Sequence, residues 1–295
     1  MIVITTPTGQ IGGRLLDILL TEIHTGGEEL RVIVRDPGRL PEAVRARVDV
    51  VAGSHGDADV VEQAFAGADA VFWLVPPAAR ASSLDAAYSE FTRAAGKALT
   101  THGVGHVVGV SALGRGTPVA DRAGLVTASL AMDDLLASTG VAYRALANPS
   151  FMDNILRQAV SIRDDGVFTG TLGADRKAPI VATRDIAAAA AGLLLDRSWT
   201  GTGEVAVLGP EDLSPNDMAH IMSEVLGRPI RYRRQSLDEF RATLAGLGDA
   251  FVDGFVDMMR AKDEGLDDGR RTPETASPTS FHEWCAQVLA PAVRE

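Results

Sequence analysis

The sequence has a single cysteine, Cys285, and only three lysines among its 295 residues. One cysteine excludes an intrachain disulfide and a metal cluster built on cysteines. No apolar run reaches the ~18 residues that a membrane span requires. The N-terminus has no basic segment ahead of an apolar one, so we expect no signal peptide. These absences predict a soluble, cytoplasmic protein with no membrane partner.

Positive charge is scarce and is not clustered. The net charge is −11 and the isoelectric point is near 5.0, and every run of Lys and Arg is short. A nucleic-acid partner is therefore not expected, because binding one requires a clustered basic surface. No two of the six histidines are spaced as ligands on one helix face, so we expect no metal site.

The first half of the chain alternates apolar runs with helical patterns. Apolar strands separated by helices are typical of a parallel sheet that is covered on both faces. The predicted strands are residues 2–4, 30–34, 48–52, 70–75, 106–110 and 141–145, and the predicted helices are residues 11–24, 60–66, 82–102 and 125–139. This order predicts a doubly wound α/β fold of the Rossmann type.

After residue 148 the pattern becomes a mixed, mainly helical one. Strand formers occur at 166–173 and 180–181, and helices are predicted at 185–196, 214–226, 237–247, 250–262 and 280–289. We expect residues 1–147 to form a dinucleotide-binding core to which 179–207 return. Residues 148–178 and 208–295 are expected to form a smaller substrate-binding region.

A glycine-containing turn joins the first strand to the first helix, with the sequence TTPTGQIGG at residues 5–13. Backbone N–H groups at a helix N-terminus favour a pyrophosphate, and glycine allows it to approach closely. The alternative is an ordinary turn that contains glycine for conformational reasons. The predicted cofactor ligands at this turn are Thr6, Thr8, Gly9, Gln10, Ile11 and Gly12.

The second strand ends at Val34-Arg35-Asp36. A basic residue at this position accommodates the 2′-phosphate of NADP, whereas a carboxylate binds the ribose hydroxyls of NAD. Arg35 at the strand end predicts NADPH as the cofactor, with NADH bound more weakly. In the alternative interpretation, Arg35 is solvated and Asp36 accepts the ribose.

The chain resembles the NmrA-like, atypical short-chain dehydrogenase/reductase family along nearly its whole length. The residues that carry this resemblance are TGxxG at 8–12, VRDP at 34–37, ADAVF at 68–72, VVGVS at 107–111, PxFMDN at 149–154, RDIA at 184–187, VLGPE at 207–211 and VLGRP at 225–229. It implies an NAD(P)-binding Rossmann protein, within a family that includes quinone and ketone reductases and redox-sensing regulators without activity. Two positions depart from the family: Thr6 replaces the first glycine of the fingerprint, and Asn148 replaces an Arg.

The tyrosine and lysine pair by which typical short-chain reductases donate a proton is missing. The three tyrosines, Tyr88, Tyr143 and Tyr232, are followed four positions later by Thr92, Ala147 and Ser236. Reduction remains feasible, because hydride transfer depends mainly on proximity. A substrate that delocalises the new negative charge needs no strong acid from the protein.

Ser111 ends the fifth strand, at the sheet edge where ligands of open α/β sheets bind. Its hydroxyl is a candidate to orient a substrate carbonyl, and the alternative is that it caps a turn. Val75-Pro76-Pro77 follow the fourth strand and are predicted to flank a ribose of the cofactor. Their alternative role is a stiff turn.

The sixth strand ends at Asn148-Pro149, which we expect to face the nicotinamide. Phe151 and Asn154 follow and are predicted to point toward the substrate. An aromatic side chain such as Phe151 is also a candidate for core packing alone.

The resulting prediction is an NADPH-dependent reductase of a large, apolar, aromatic ketone or quinone, with a small molecule as its partner. A ketoreductase of actinobacterial aromatic polyketides, of the angucyclinone type, fits both the missing pair and the composition, whose excess of Arg over Lys suggests a GC-rich genome. The alternative is a non-catalytic NADP(H)-sensing regulator that binds a protein partner. An isomerase ranks third, because that chemistry in this superfamily also uses the missing pair.

Overall fold

The computed structural model describes residues 1–22, 28–269 and 271–294. Its strands are β1 (Ile2–Thr5), β2 (Leu30–Val34), β3 (Asp49–Ala52), β4 (Ala70–Trp73), β5 (His106–Ala112), β6 (Ala142–Asn148), β7 (Ser150–Phe151), β8 (Val167–Gly170), β9 (Ala178–Val181), β10 (Thr202–Ala206), β11 (Asp212–Leu213) and β12 (Arg231–Arg234). Seven of the described strands form one parallel sheet in the order β10-β6-β5-β4-β1-β2-β3.

Helices connect these strands. They are α1 (Gln10–Glu22), α2 (Glu42–Arg45), α3 (Ala58–Phe65), α4 (Leu84–Ala87), α5 (Ser89–Thr101), α6 (Leu125–Ala137), α7 (Ala159–Asp165), α8 (Thr183–Leu195), α9 (Pro215–Leu226), α10 (Leu237–Thr243), α11 (Asp249–Asp263), α12 (Phe281–Trp284) and α13 (Ala290–Arg294). Short 3-10 helices lie at Pro37–Arg39, Ala120–Arg122 and Met152–Gln158. None of the described helices combines the length and the apolar character needed to cross a membrane.

The central sheet is buried on both faces, as its apolar strands require. Helices α1 and α8 cover one face, where they pack on side chains such as Ile4 and Phe72. Helices α3, α5 and α6 cover the other face, where they pack on side chains such as Val71 and Val107. The structure therefore has the doubly wound α/β architecture that the sequence predicts.

The C-terminal half adds two small sheets, β11-β9-β7 and β12-β8, and a third apolar cluster. This cluster contains Met152, Phe168, Phe281 and Trp284. Helix α11 packs against α4, α6 and the short helix at Ala120–Arg122. It thereby lies beside the segments that leave β4 and β5 at their carboxyl ends.

Several described elements differ from the sequence prediction, among them β10, β12 and the helix predicted over 82–102. Strand β10 pairs with β6 at the sheet edge, where exposed residues such as Glu204 leave no continuous apolar run. Strand β12 is the arginine-rich segment Arg231–Arg234, which also lacks a strand pattern. The helix predicted over 82–102 is two helices, because Tyr88 takes a non-helical backbone conformation, with φ −123° and ψ −72°. The predicted end of the first helix at 23–24 lies outside the described residues.

Candidate cofactor and active site

The predicted site segments meet at one edge of the sheet. The carboxyl ends of β6, β5, β4, β1 and β2 are neighbours in that order. The strands that follow β1 in the chain are added on one side of it up to β3 and on its other side from β4 onward, so the strand order reverses between β4 and β1. The side chain of Thr5 links these two strands, because its hydroxyl donates to Phe72 O and accepts from Leu74 N, both at 3.0 Å. Ligands of open α/β sheets bind at such a switch point.

The turn that follows β1 has the close packing of a pyrophosphate-binding turn. Gly9 N donates to Thr6 O at 3.0 Å. A Cβ built on Gly12 would lie 2.3 Å from Thr6 O, so no larger residue fits there without moving the turn. Thr8, Gly9 and Gln10 are exposed at the N-terminus of α1, while Ile11 is buried beneath it. Free N–H groups at an exposed helix start fit a pyrophosphate.

Thr6 forms this turn without the glycine found in the family. Its φ is +52°, and among the described residues it is the one non-glycine with a positive φ. Its hydroxyl oxygen is buried and has no hydrogen-bond partner. A β-branched residue in this conformation is strained, so the turn keeps its shape at a cost in stability.

The end of β2 separates the roles of Arg35 and Asp36. The Asp36 carboxylate accepts a hydrogen bond from Gly38 N at 2.9 Å and caps the short helix Pro37–Arg39. Arg35 is exposed and makes no hydrogen bond or ion pair with any residue that the structure describes. One oxygen of the Asp36 carboxylate is thus engaged locally, and the guanidinium of Arg35 is available for a phosphate.

The segments after β4 and β6 line the same edge. Val75 is buried, Pro76 is exposed and Pro77 is partly exposed. The Asn148 side chain is 2% exposed and its amide donates to Ser111 O at 3.1 Å and Leu146 O at 2.6 Å. Its Oδ1 has no partner, so it presents one unsatisfied acceptor at the end of β6, beside the buried Pro149.

The two predicted substrate residues differ in their surroundings. Phe151 is partly buried in β7 and packs against the core cluster that contains Ile4 and Phe72. Asn154 is exposed on the short helix Met152–Gln158. Contact of either side chain with a substrate stays a prediction.

Ser111 belongs to a buried polar network that also contains Asp133 of α6 and Tyr143 of β6. Its hydroxyl donates to Asp133 Oδ2, while the Tyr143 hydroxyl donates to Asp133 Oδ1 at 2.6 Å. Asp133 is 2% exposed, and this burial raises the pKa of its carboxyl to about 6 against the opposing effect of the two hydroxyl donors. Arg115 lies 3.9 Å away, between Nη2 and Oδ2.

The sequence analysis did not identify Asp133. The available signal was an acidic residue within the apolar helix Leu125–Ala137, beside the buried residues Met132 and Leu136. An acid on a buried helix face needs partners. Those partners come from two other strands, and the local pattern does not reveal them.

The tyrosines offer no free acid at this edge. Tyr88 is buried in the core, where burial raises the pKa of its phenol. Burial also raises the pKa of Tyr143, whose proton already bonds Asp133. Tyr232 lies in β12 and donates to Leu172 O at 2.8 Å.

Comparison with known proteins gives consistent matches. A family model described as NAD(P)H-binding matches residues 7–197. The chain is 31% identical over 253 residues to (4-alkanoyl-5-oxo-2,5-dihydrofuran-3-yl)methyl phosphate reductase of Streptomyces griseus, covering 83% of this chain and 80% of that protein. It is 27% identical over 248 residues to the NAD(P)H azoreductase of Xenophilus azovorans, covering 84% of this chain and 82% of that protein.

A solved structure has the same fold. The NADPH-dependent quinone oxidoreductase of Escherichia coli aligns with a TM-score of 0.74 and 25% identity, over 96% of this chain and 98% of that chain. The alignment therefore includes the C-terminal region as well as the central sheet.

Proposed function

Because this chain belongs to the NAD(P)H-binding family and is an NAD(P)H-dependent oxidoreductase, we propose that it reduces a conjugated acceptor of the quinone or aryl ketone type and prefers NADPH. Bound NADPH supplies the hydride for this reaction. The narrower class of aromatic polyketide ketones belongs to the same proposal.

The proposal depends mainly on the state of the three tyrosines. None has a lysine four positions later, one lies in the core, and the other two hydroxyls donate inside the protein. A saturated ketone would become a strongly basic alkoxide and would need a good acid. A quinone or an unsaturated acyl lactone spreads the new charge over its π system and so tolerates the lack of a tyrosine acid, whereas the alkoxide formed from an aryl ketone keeps its charge on oxygen and needs a proton from another group.

The relatives act on acceptors of this kind, judged from their names. A quinone, an azo compound and an unsaturated lactone that carries an acyl group all have a conjugated electron-poor π system. This shared chemistry supports the same class of acceptor for this chain.

The residues at the sheet edge fit the cofactor. The turn at Thr6 and Gly12 would hold the pyrophosphate against the start of α1. Arg35 would pair with the 2′-phosphate, because its exposed guanidinium has no partner among the residues that the structure describes. Asn148 Oδ1, which is buried and unpartnered, would accept a donor at the nicotinamide end.

The test is to mix the purified protein and NADPH with each member of a panel of acceptors and to measure the rate at which the NADPH absorbance falls. The panel contains a quinone, a hydroxyaryl ketone, an acyl-substituted unsaturated lactone, an azo dye and a saturated alicyclic ketone. We expect faster turnover with the conjugated members than with the saturated ketone. Equal turnover of the saturated ketone would contradict the proposal, and NADPH binding without oxidation by any acceptor would favour the regulator.

A further inference from the structure

The buried network of Ser111, Asp133 and Tyr143 has no role so far in the proposed reaction. We propose that Asp133 and Ser111 form a relay that passes a proton to the substrate oxygen that gains charge when hydride is added. This inference rests on the proposed reductase function. It assigns Asp133 a role as a proton reservoir and Ser111 one as the group that contacts the substrate.

The two hydroxyls on Asp133 fix the direction of the relay. Tyr143 donates to Oδ1 and Ser111 faces Oδ2. When Asp133 is protonated, Oδ1 already accepts from Tyr143, so the acidic proton belongs on Oδ2. Ser111 then accepts a hydrogen bond from this O–H group and is free to direct its own O–H toward the sheet edge, one residue before the end of β5.

When Asp133 is ionised, the same contact has the opposite polarity. The carboxylate accepts from Ser111, which turns the hydroxyl proton inward and leaves the serine unable to donate to a substrate. Ser111 therefore orients a substrate carbonyl as a donor only in the protonated state of Asp133. Burial places the pKa of Asp133 at about 6, so both states are accessible near neutral pH.

The step balances in atoms and charge. Hydride forms a new C–H bond at the acceptor carbon, and the π electrons of the C=O bond move to its oxygen. That oxygen takes the proton from Ser111 Oγ while Oγ takes the proton from Asp133 Oδ2. The product leaves as a neutral alcohol or enol, and the Asp133 carboxylate regains a proton from solvent through Ser111.

Other charges near Asp133 leave it as the titrating group of the network. Arg115 lies 3.9 Å from Oδ2, but it is already paired with Asp134 at 2.9 Å and Glu204 at 2.8 Å. Arg115 favours the carboxylate and Glu204 opposes it. On the helices packed against α6, the charged or titratable side chains are Asp85, Tyr88, Glu90, Arg93, Lys97, Asp121, Arg122, Asp249, Asp253, Asp257, Arg260, Lys262 and Asp263. Of these, Tyr88 and Lys262 are buried, and Lys262 pairs with Asp267.

The test compares the pH profiles of kcat/KM for a hydroxyaryl ketone and a quinone between pH 5 and 8.5. For the ketone, we expect the wild-type rate to fall by about tenfold per pH unit above pH 6. Ser111→Ala and Asp133→Asn should each lose roughly 10²-fold at pH 5.5 and give flat profiles. Quinone reduction should change much less in all three proteins, because its adduct is a weak base.

Two further variants separate a relay from a structural role. Tyr143→Phe removes a hydrogen-bond donor that stabilises the Asp133 carboxylate. It should therefore move the midpoint of the kcat/KM profile to higher pH and keep the higher rate at low pH. Ser129→Ala makes the same change as Ser111→Ala at a buried serine one turn before Asp133, and should leave the profile unchanged. NADPH affinity and circular dichroism check that each variant is folded.

A spectroscopic measurement tests the proton without turnover. The carboxylic acid C=O band in the infrared should titrate near pH 6, shift its midpoint in Tyr143→Phe and disappear in Asp133→Asn. The relay would be overturned, with the proposed function kept, if the wild-type protein reduced the ketone at a rate that does not fall above pH 6. The same holds if Ser111→Ala and Asp133→Asn kept that fall. NADPH binding without turnover of any acceptor would overturn the proposed function, and the relay with it.

Discussion

At the scale of single residues, Thr6 shows how a strained backbone is kept at the cofactor turn. Its φ of +52° and its buried, unpartnered hydroxyl both cost stability. Such backbone strain costs about 1–3 kcal/mol. The contacts from Gly9 N and the close approach of Gly12 hold the turn in this shape.

Thr6→Gly is therefore expected to stabilise the protein. Glycine adopts a positive φ without strain, and the substitution removes the unpartnered hydroxyl. Part of this gain is offset, because glycine raises the conformational entropy of the unfolded chain. The expected net gain is about 1 kcal/mol in the free energy of unfolding, measured by urea denaturation, with the NADPH affinity kept. The control is Thr8→Gly, an exposed position with an ordinary φ, which should lose about 0.5–1 kcal/mol. If Thr6→Gly lost as much free energy of unfolding as Thr8→Gly, the backbone of Thr6 would not be strained.

Arg35 carries the second prediction at this scale. Arg35→Ala should weaken NADPH by about 10–150-fold, equivalent to ~1.5–3 kcal/mol for one charge-assisted contact, and should leave NADH nearly unchanged. The measurement is the dissociation constant of each cofactor by calorimetry. Arg93→Ala, an exposed arginine on α5, is the control and should change neither. Equal losses of affinity for NADPH and NADH would show that Arg35 does not bind the 2′-phosphate.

At the scale of elements, buried and strongly patterned segments were predictable and edge segments were not. The order of strands and helices through β6 follows from apolar periodicity, and the doubly wound fold and NAD(P)H binding are confirmed. Strand β10 was not predicted because its exposed residues, such as Glu204, leave no continuous apolar run. The network of Ser111, Asp133 and Tyr143 escaped prediction because its members come from β5, α6 and β6, and no local spacing encodes that meeting.

Helix α8 joins the central sheet to the C-terminal helices. The buried Asp185 carboxylate accepts Thr279 N at 3.1 Å and Thr279 Oγ1 at 2.7 Å. Arg184 adds contacts to Thr279, Glu283 and Gln287. These bonds hold the segment that leads into α12.

Asp185→Ala should loosen this junction. It leaves two buried donors of Thr279 without an acceptor, so we expect a loss of roughly 2–4 kcal/mol in the free energy of unfolding. Limited proteolysis should then cut earlier near residues 277–280. Asp196→Ala, on the exposed C-terminus of the same helix, should change stability by less than ~0.5 kcal/mol. Similar losses in both variants would argue against a specific junction.

At the scale of the whole molecule, two buried groups make the stability depend on pH in opposite directions. His55 packs edge-on against Trp73 and Phe91, and its Nε2 lies 3.0 Å from Leu74 O. Burial, with a smaller contribution from Arg35, lowers its pKa to about 4. Burial raises the pKa of Asp133 to about 6. Between pH 4 and 6.5 these two groups therefore oppose each other.

The signs follow from linkage. The folded state disfavours protonated His55, so its contribution is complete above pH 6.5 and is lost as the pH falls toward 4. The folded state disfavours ionised Asp133, so its contribution is present below the ordinary carboxyl pKa and is lost as the pH rises through 6. We therefore expect the wild-type free energy of unfolding to vary little with pH from 4.5 to 7, apart from the surface carboxylates common to all variants.

Single variants should expose each slope. His55→Gln retains a donor for Leu74 O but cannot titrate, so the wild type should lose about 2–3 kcal/mol relative to this variant between pH 7 and 4.5. Asp133→Asn should give a difference of the opposite sign over the same range, and the double variant should restore a nearly flat profile. Urea denaturation at four pH values measures these differences in the free energy of unfolding. The contributions of the surface carboxylates cancel, because those groups are the same in every variant. The difference in the free energy of unfolding between the wild type and His55→Gln could instead stay constant with pH. That result would mean that His55 is not held neutral by its burial between Trp73 and Phe91.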